Sequence, residues 1–320
     1  MYQISQRRAL SLLAFVATAA AAPLSAATPT PRPTAASPSY LAPNQVVIIS
    51  IDGLRPDALS ELGTPNIFRL SRRGSYSLTA DTVTPSETLP GHSSMLSGVL
   101  PKIHKMTWDD NQYRADKGPI QVPTLLTVAK NAALQTVMVV GKEKMRHLAP
   151  ANGIYVEDLR GDDAVVNEAI VRAMLPFDVL FVHLPSVDLT GHSNTWMSPN
   201  YMTQLAGTDR AVGRLLSAIP ATATIILTAD HGGLGANHGV ECNENMKIPW
   251  MISGPRIQAN RAIKVNVKTM DTAVTAAAIL GLQIPGADVS GKILSEAILP
   301  YAPMPDVIPS PAYGDDSFNY

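Results

Sequence analysis

The chain holds a single cysteine, Cys242. An internal disulfide is therefore impossible, and packing must hold the fold together. Cys242 follows His238 closely, so it is either an extra metal ligand or a small buried residue. An excess of one charge is also missing: 25 Lys and Arg stand against 26 Asp and Glu, for a formal charge of -1. Neither a nucleic-acid polymer nor an anionic membrane surface is indicated as a partner. The apolar run Ala9–Ala22 is too short for a stable membrane anchor. No internal repeat is visible, and nothing points to a particular oligomeric state. With 320 residues the chain can bury a sizeable core, as one large α/β domain or two small ones.

The two ends differ from the middle. Arg7 and Arg8 precede the apolar run, and the small residues Ser25, Ala26 and Ala27 follow it. That is the form of a signal peptide over 1–27, and it predicts a periplasmic or secreted protein. The paired arginines allow a twin-arginine route, although no Phe follows at the usual place; the ordinary secretory route is the alternative. The absence of cysteine at the cleavage region excludes lipid attachment there. Residues 28–44 are rich in Pro, Thr, Ser and Ala and form a linker without core residues. Residues 299–320 form a Pro-rich tail.

Between 45 and 298, apolar β-branched runs alternate with helical patterns. This predicts an α/β fold, a mostly parallel central sheet flanked by helices on both faces. Strands are expected at Gln45–Ile51, Gln135–Val140, Phe177–Val182, Thr222–Thr228 and Trp250–Ser253. Continuous apolar runs of this kind suit strands covered on both sides. Helices are expected after the Thr64-Pro65 cap, over about Thr88–Ser97, Pro123–Ala133, Asp162–Met174 and Asn200–Ile219, and over Asp271–Leu280 before Gly281.

Asp52, Asp188, Asp230 and His231 fall just beyond strand ends, where open α/β sheets bind ligands. With Thr88, His192 and His238 they are spaced like the ligands of a two-metal, phosphate-hydrolysing site. Asp52 ends the first strand as a hard oxygen ligand, and Gly53 lets the chain turn beneath it. Asp188 and His192 are four apart and share one face of a helical turn. Asp230 and His231 can both serve one site only where the strand stops, and Gly232-Gly233 supply that freedom. His238 follows in a glycine-rich run. Each motif alone has an ordinary alternative: a helix cap, an accidental pair, an exposed loop histidine. Together they point to two divalent ions that activate a nucleophile and hold a leaving oxygen. A mixed His/Asp set suits zinc better than calcium. A hydroxyl at a helix start is the candidate nucleophile, and spacing alone leaves Thr84 and Ser86 as competitors to Thr88. His183 is expected to be a satisfied core residue, and His92 either lines the site or packs in its helix.

These stretches carry a resemblance. Ser50-Ile51-Asp52-Gly53, Pro85 to Gly98, Asp188 to His192, Asp230-His231-Gly232 and Asp271 to Gly291 resemble the alkaline phosphatase superfamily, most closely its type I phosphodiesterase/nucleotide pyrophosphatase branch. The resemblance implies one metal on Asp188, His192 and His238. It implies a second on Asp52, Asp230, His231 and the Thr88 oxygen, with Thr88 transiently phosphorylated. A non-catalytic binding protein that kept the metals is the rival from another class.

The chain also departs from that branch. Gly91 stands where the pyrophosphatases carry Asn, His238 follows the Asp-His pair closely, and no large inserted nucleotide-binding region is evident. Gly141-Lys142-Glu143-Lys144 is similar to a basic segment that contacts phosphate in some monoesterase members. The expectation is therefore an alkaline-type phosphomonoesterase for a small phosphate ester, with Lys142 and Lys144 on the substrate phosphate. A phosphodiesterase or nucleotide pyrophosphatase is the alternative.

Overall fold

The computed structural model describes residues 45–299. The expected signal peptide (1–27), the linker (28–44) and all but the first residue of the tail (299–320) lie outside them. Eight strands form one sheet: β1 (Val46–Ile51), β2 (Ser75–Asp81), β3 (Thr136–Val140), β4 (Ile154–Glu157), β5 (Val179–Leu184), β6 (Thr224–Thr228), β7 (Lys247–Ser253) and β8 (Arg261–Ala262). Their order is β4-β3-β5-β1-β6-β7-β2-β8. The first five in that order run parallel, while β7 runs antiparallel to both β6 and β2.

The helices are α1 (Pro65–Arg73), α2 (Thr88–Ser97), α3 (Pro101–His104), α4 (Leu125–Asn131), α5 (Asp162–Ala173), α6 (Ser186–Asn194), α7 (Pro199–Ala218), α8 (Asn243–Met246) and α9 (Asp271–Ile279). One group, α1, α5, α6 and α7, packs together, as does a second, α2, α3, α4 and α9, giving a helical layer for each face of the sheet. Sandwiched strands must bury both faces, and every residue of β1, β3 and β5 is buried. At roughly 1.5–3 kcal/mol per buried Val, Ile or Leu side chain, these strands contribute much of the folding drive.

Several local expectations are refined. Thr64 precedes α1, but its hydroxyl bonds back to Ser60, and it is Asp209 of α7 that accepts the Asn66 and Ile67 amides. The α1 N-terminus is thus capped by a neighbouring helix. Thr124 caps α4 by a capping box with Thr127. β2 had no continuous apolar run to announce it; its buried and exposed residues interleave, and its pairing with β7 shifts register between Ser77 and Ala80.

The register places the site. Ser50 of β1 lies between His183 of β5 and Thr228 of β6, and His183 in turn lies beside Val140 of β3. Four adjacent parallel strands therefore end at nearly the same level. The chain leaving them carries Lys142, Asp188, Asp52, and the pair Asp230-His231.

Candidate active site

Asp52, Asp188 and Asp230 are each 1% exposed or less. Each has one oxygen held by the protein and one left free. Asp52 Oδ2 accepts from His183 Nε2 at 2.8 Å and pairs with Lys142 Nζ at 2.7 Å. Asp188 Oδ2 accepts from Lys142 Nζ at 2.6 Å. Asp230 Oδ1 accepts the Gly53 and His231 amides at 3.1 and 3.0 Å. The other oxygens, Asp52 Oδ1, Asp188 Oδ1 and Asp230 Oδ2, are buried with no hydrogen-bond partner among the described residues, and so is His231 Nε2. Buried polar atoms are normally paired, so four orphans converging on one place need a common partner.

The histidines repeat the pattern. Nδ1 of His231, His238 and His192 each faces a backbone carbonyl, of Gly232 at 2.7 Å, Ser86 at 3.0 Å and Ala236 at 2.9 Å. A carbonyl only accepts, so Nδ1 carries the proton and Nε2 presents a lone pair in the neutral ring. His231 Nε2 lies 3.4 Å from Asp52 Oδ1 and 3.3 Å from Asp230 Oδ2. His192 and His238 face Asp188 Oδ1 at 3.4 and 3.6 Å, and their own Nε2 atoms are 3.1 Å apart. Lone pairs and carboxylate oxygens gathered in this way suit cations. Two groups have ligand atoms all within 4.8 Å of one another: Asp52, Asp230 and His231, and Asp188, His231 and His238. His231 thus belongs to both, and His192 adjoins the second. The residues present fit two divalent ions.

Thr88 opens α2, and Glu87 rather than Thr88 holds the cap position. Its hydroxyl lies 3.5 Å from Asp52 Oδ2 and accepts from Lys142 Nζ at 3.2 Å. The competitors lie elsewhere: Thr84 bonds toward Met246 Sδ, and Ser86 Oγ is buried without a partner. Gly91 permits this placement of α2, because a Cβ there would stand 2.8 Å from the Asp230 carbonyl oxygen. Gly233 serves close approach too, since a Cβ would enter the Trp196 ring.

Lys142 and Lys144 part ways. The Lys142 side chain is 12% exposed and its ammonium bridges Asp52, Asp188 and Thr88. Lys144 is buried and pairs with Asp109 Oδ2 at 2.7 Å, while Asp109 Oδ1 accepts the Leu89 amide at 2.9 Å. Lys144 therefore braces the start of α2 through Asp109 and makes no ion pair with any of the expected metal ligands. His183 is more than a core residue. Its Nδ1 accepts the Gly141 amide at 3.3 Å, which leaves Nε2–H to donate to Asp52. His92 sits under the site, accepting from Ser50 Oγ and donating to the Thr88 carbonyl, both at 2.8 Å. Asp109 and His183 had no sequence signal beyond being polar, since their partners lie far along the chain. Cys242 is half-buried and belongs to neither metal group.

The charges are strongly perturbed. Burial pushes the Asp52 carboxyl up, but Lys142, His183 and His231 outweigh it and hold it well below the ordinary range. Asp230 is driven well above that range by burial and by the charge on Asp52. Burial and the neighbouring His231 pull His238 down to about 3, keeping its ring neutral. Burial opposes the charge on Lys142, yet Asp52 and Asp188 prevail and raise it.

A mostly parallel sheet covered by helices, with this site at its strand ends, defines an alkaline-phosphatase-like protein. The chain belongs to the type I phosphodiesterase/nucleotide pyrophosphatase family, whose model matches residues 46–278. Human GPI ethanolamine phosphate transferase 2, catalytic subunit, is 24% identical over 80% of this chain and 29% of its own length. Mouse ectonucleotide pyrophosphatase/phosphodiesterase family member 3 is 26% identical over 58% of this chain and 24% of its own. The chain thus spans less than a third of either relative. Among solved structures, murine ectonucleotide pyrophosphatase/phosphodiesterase 5 superposes with a TM-score of 0.67 at 14% identity, covering 76% of this chain and 96% of that one. These findings back the phosphodiesterase alternative better than the monoesterase expected from Lys142 and Lys144. Among the described residues no helix is long and apolar enough to cross a membrane.

Proposed function

We propose that the protein is an exported phosphodiesterase or pyrophosphatase that works through Thr88 and two zinc ions. The observation that carries the reading is the set of four buried, unpartnered atoms, Asp52 Oδ1, Asp188 Oδ1, Asp230 Oδ2 and His231 Nε2, beside a hydroxyl already held by Lys142. When bound, two divalent ions supply Lewis acidity, acidifying a neighbouring hydroxyl or water and neutralising a departing oxygen. Asp52, Asp230 and His231 would hold one, and Asp188, His192 and His238 would hold the other. Thr88 Oγ forms a bond to phosphorus while the bond to the leaving oxygen breaks. Water then splits the Thr88 ester and releases a monoester. Lys142 orients the Thr88 oxygen and stabilises its ionised form. Lys144 acts through Asp109, fixing the α2 N-terminus rather than touching phosphate.

Charge balance supports diesters over monoesters. Three carboxylates, two divalent ions and the Lys142 ammonium together leave two positive charges. The ionised Thr88 oxygen and a monoanionic diester cancel them. A dianionic monoester would leave a surplus negative charge in a buried site, which is costly. The test is kcat/KM of the zinc-loaded protein for 4-nitrophenyl phosphate and for 4-nitrophenyl methyl phosphate. The diester should be preferred at least about tenfold, the effect of ~1.4 kcal/mol in the transition state. A preference for the monoester would overturn the reading. Neither substrate turning over would favour the non-catalytic rival.

A further inference from the structure

A cleft opens on the two segments that carry Thr88 and His238, on the far side of a bridge between them. Ser86 and Gly239 form an isolated antiparallel bridge. In one direction the two bridged segments lead to Thr88 and His238. In the other they lead to Thr82–Thr84 and Glu241–Asn243, which wall a cavity of about 670 Å³. That volume lies within the ~300–1,000 Å³ of ordinary small-molecule sites. Val83, Leu100, Pro101, Met246 and Met270 give it apolar lining. Lys102 and Lys268 also line it, and neither ammonium makes an ion pair among the described residues. Asp81 is paired with Lys247 and accepts from Asn266, which leaves Glu241 as the one lining acid without an ion pair among the described residues. The cleft therefore carries an excess of positive charge over an apolar base. None of these side chains belongs to a metal group or to the Thr88 network, and the Thr82 hydroxyl ties the cleft wall to the Asp230 carbonyl.

We propose that this cleft binds the ester substituent that stays on phosphorus, and that it selects an organic group with an apolar body and a negative charge. The inference rests on the phosphodiesterase reading. Attack by Thr88 expels the leaving oxygen in line, on the side of phosphorus opposite the nucleophile. The cleft is walled by Thr82–Thr84, on the chain that runs on through Ser86 to Thr88, and the Thr82 hydroxyl donates to the Asp230 carbonyl, so it adjoins the segments that carry the nucleophile and a metal ligand, and the part of the substrate it takes is the substituent that stays on phosphorus. Lys102 and Lys268 attract the anion, and the apolar base takes the body of the group.

The experiment uses the zinc-loaded protein with 4-nitrophenyl benzyl phosphate and 4-nitrophenyl 4-carboxybenzyl phosphate, which differ by one carboxylate. In both, the bond from Thr88 Oγ to phosphorus forms as 4-nitrophenolate leaves, and water then releases the benzyl monoester. Wild type should favour the carboxylated probe in kcat/KM by about fivefold at low salt, as exposed ion pairs of up to ~1 kcal/mol allow. In Lys102→Ala/Lys268→Ala the ratio should fall to about one. A wild-type ratio of one, or a preference that survives the double variant, overturns the proposal. Cys242 gives an independent readout, being the sole cysteine and lining the same cleft. 4-Carboxybenzyl phosphate should slow its reaction with a thiol reagent more than benzyl phosphate does, and equal rates would count against the cleft. If wild type cleaves neither probe, the phosphodiesterase reading fails, and the Cys242 protection still decides whether the cleft binds.

Discussion

Lys142→Met removes the ammonium while keeping most of the side-chain volume. In the protein that ammonium reaches Asp188 Oδ2 at 2.6 Å, Asp52 Oδ2 at 2.7 Å and Thr88 Oγ1 at 3.2 Å, in surroundings that leave its side chain 12% exposed. Asp52 would keep His183 at 2.8 Å, but among the described residues Asp188 Oδ2 has no other hydrogen-bond donor. Breaking a buried pair by removing one partner costs about 3–5 kcal/mol. For a domain of this size ~1 kcal/mol moves the midpoint by about 2–4 °C, so the metal-free variant should melt roughly 6–20 °C below wild type. Divalent ions change the balance, because they supply the positive charge that the carboxylates lose. The deficit should shrink once zinc is saturating, and by linkage zinc must then bind the variant more tightly than wild type. The assay is thermal unfolding with chelator and with excess zinc, together with a zinc titration. Lys102→Met, at an exposed position without an ion pair, is the control and should shift stability by less than about 0.5 kcal/mol. An equal deficit with and without zinc, or no deficit in the metal-free protein, would refute the bridging role of Lys142.

Thr88→Ala should lower kcat by at least ~10³-fold with zinc content kept, whereas Ser86→Ala should stay near wild type; the reverse ranking in steady-state kinetics would move the nucleophile to Ser86. Elemental analysis of protein purified without chelator should find two divalent ions, and chelation should lower the melting midpoint and abolish turnover until zinc is restored; one ion or none, with no recovery, counts against the paired groups. His104 Nδ1 accepts the Met106 amide, its Nε2 donates to Ser94 Oγ, and burial pulls its pKa down to about 4. The unfolded chain binds that proton near pH 6.5, so the stability from neutral His104 is present above about 6.5 and lost as pH falls toward 4. Urea midpoints of His104→Gln should fall less steeply over that window, and an unchanged slope would refute the assignment. The mature chain isolated from the periplasm should begin between Ala22 and Thr30, which N-terminal sequencing decides; a mature chain beginning at Met1 would end the export proposal.

The buried parallel strands and the placing of Asp188 beside His192 were legible in the chain itself for a physical reason. A strand covered on both faces needs a largely apolar run, and β1, β3, β5 and β6 each have one that ends within two residues of a charged or turn residue. Asp188 and His192 are local partners on one helix, so their spacing already states their geometry. β2 and the antiparallel direction of β7 were not legible. Polar residues can join a sheet where neighbours cover them, and strand direction depends on how the intervening chain crosses the sheet. The same holds for the roles of the lysines. Lys142 and Lys144 are two residues apart and alike in the sequence, yet one ammonium meets Asp52 and Asp188, 90 and 46 positions away, while the other meets Asp109 at the start of α2. Likewise His183 becomes the support of Asp52 only because β1 and β5 pair in register, setting the ring beside a carboxylate 131 positions away. Local pattern records which residues are buried and which can share a helical face. Which buried charge finds which partner is decided by strand order and register, and these exist only once the sheet has formed.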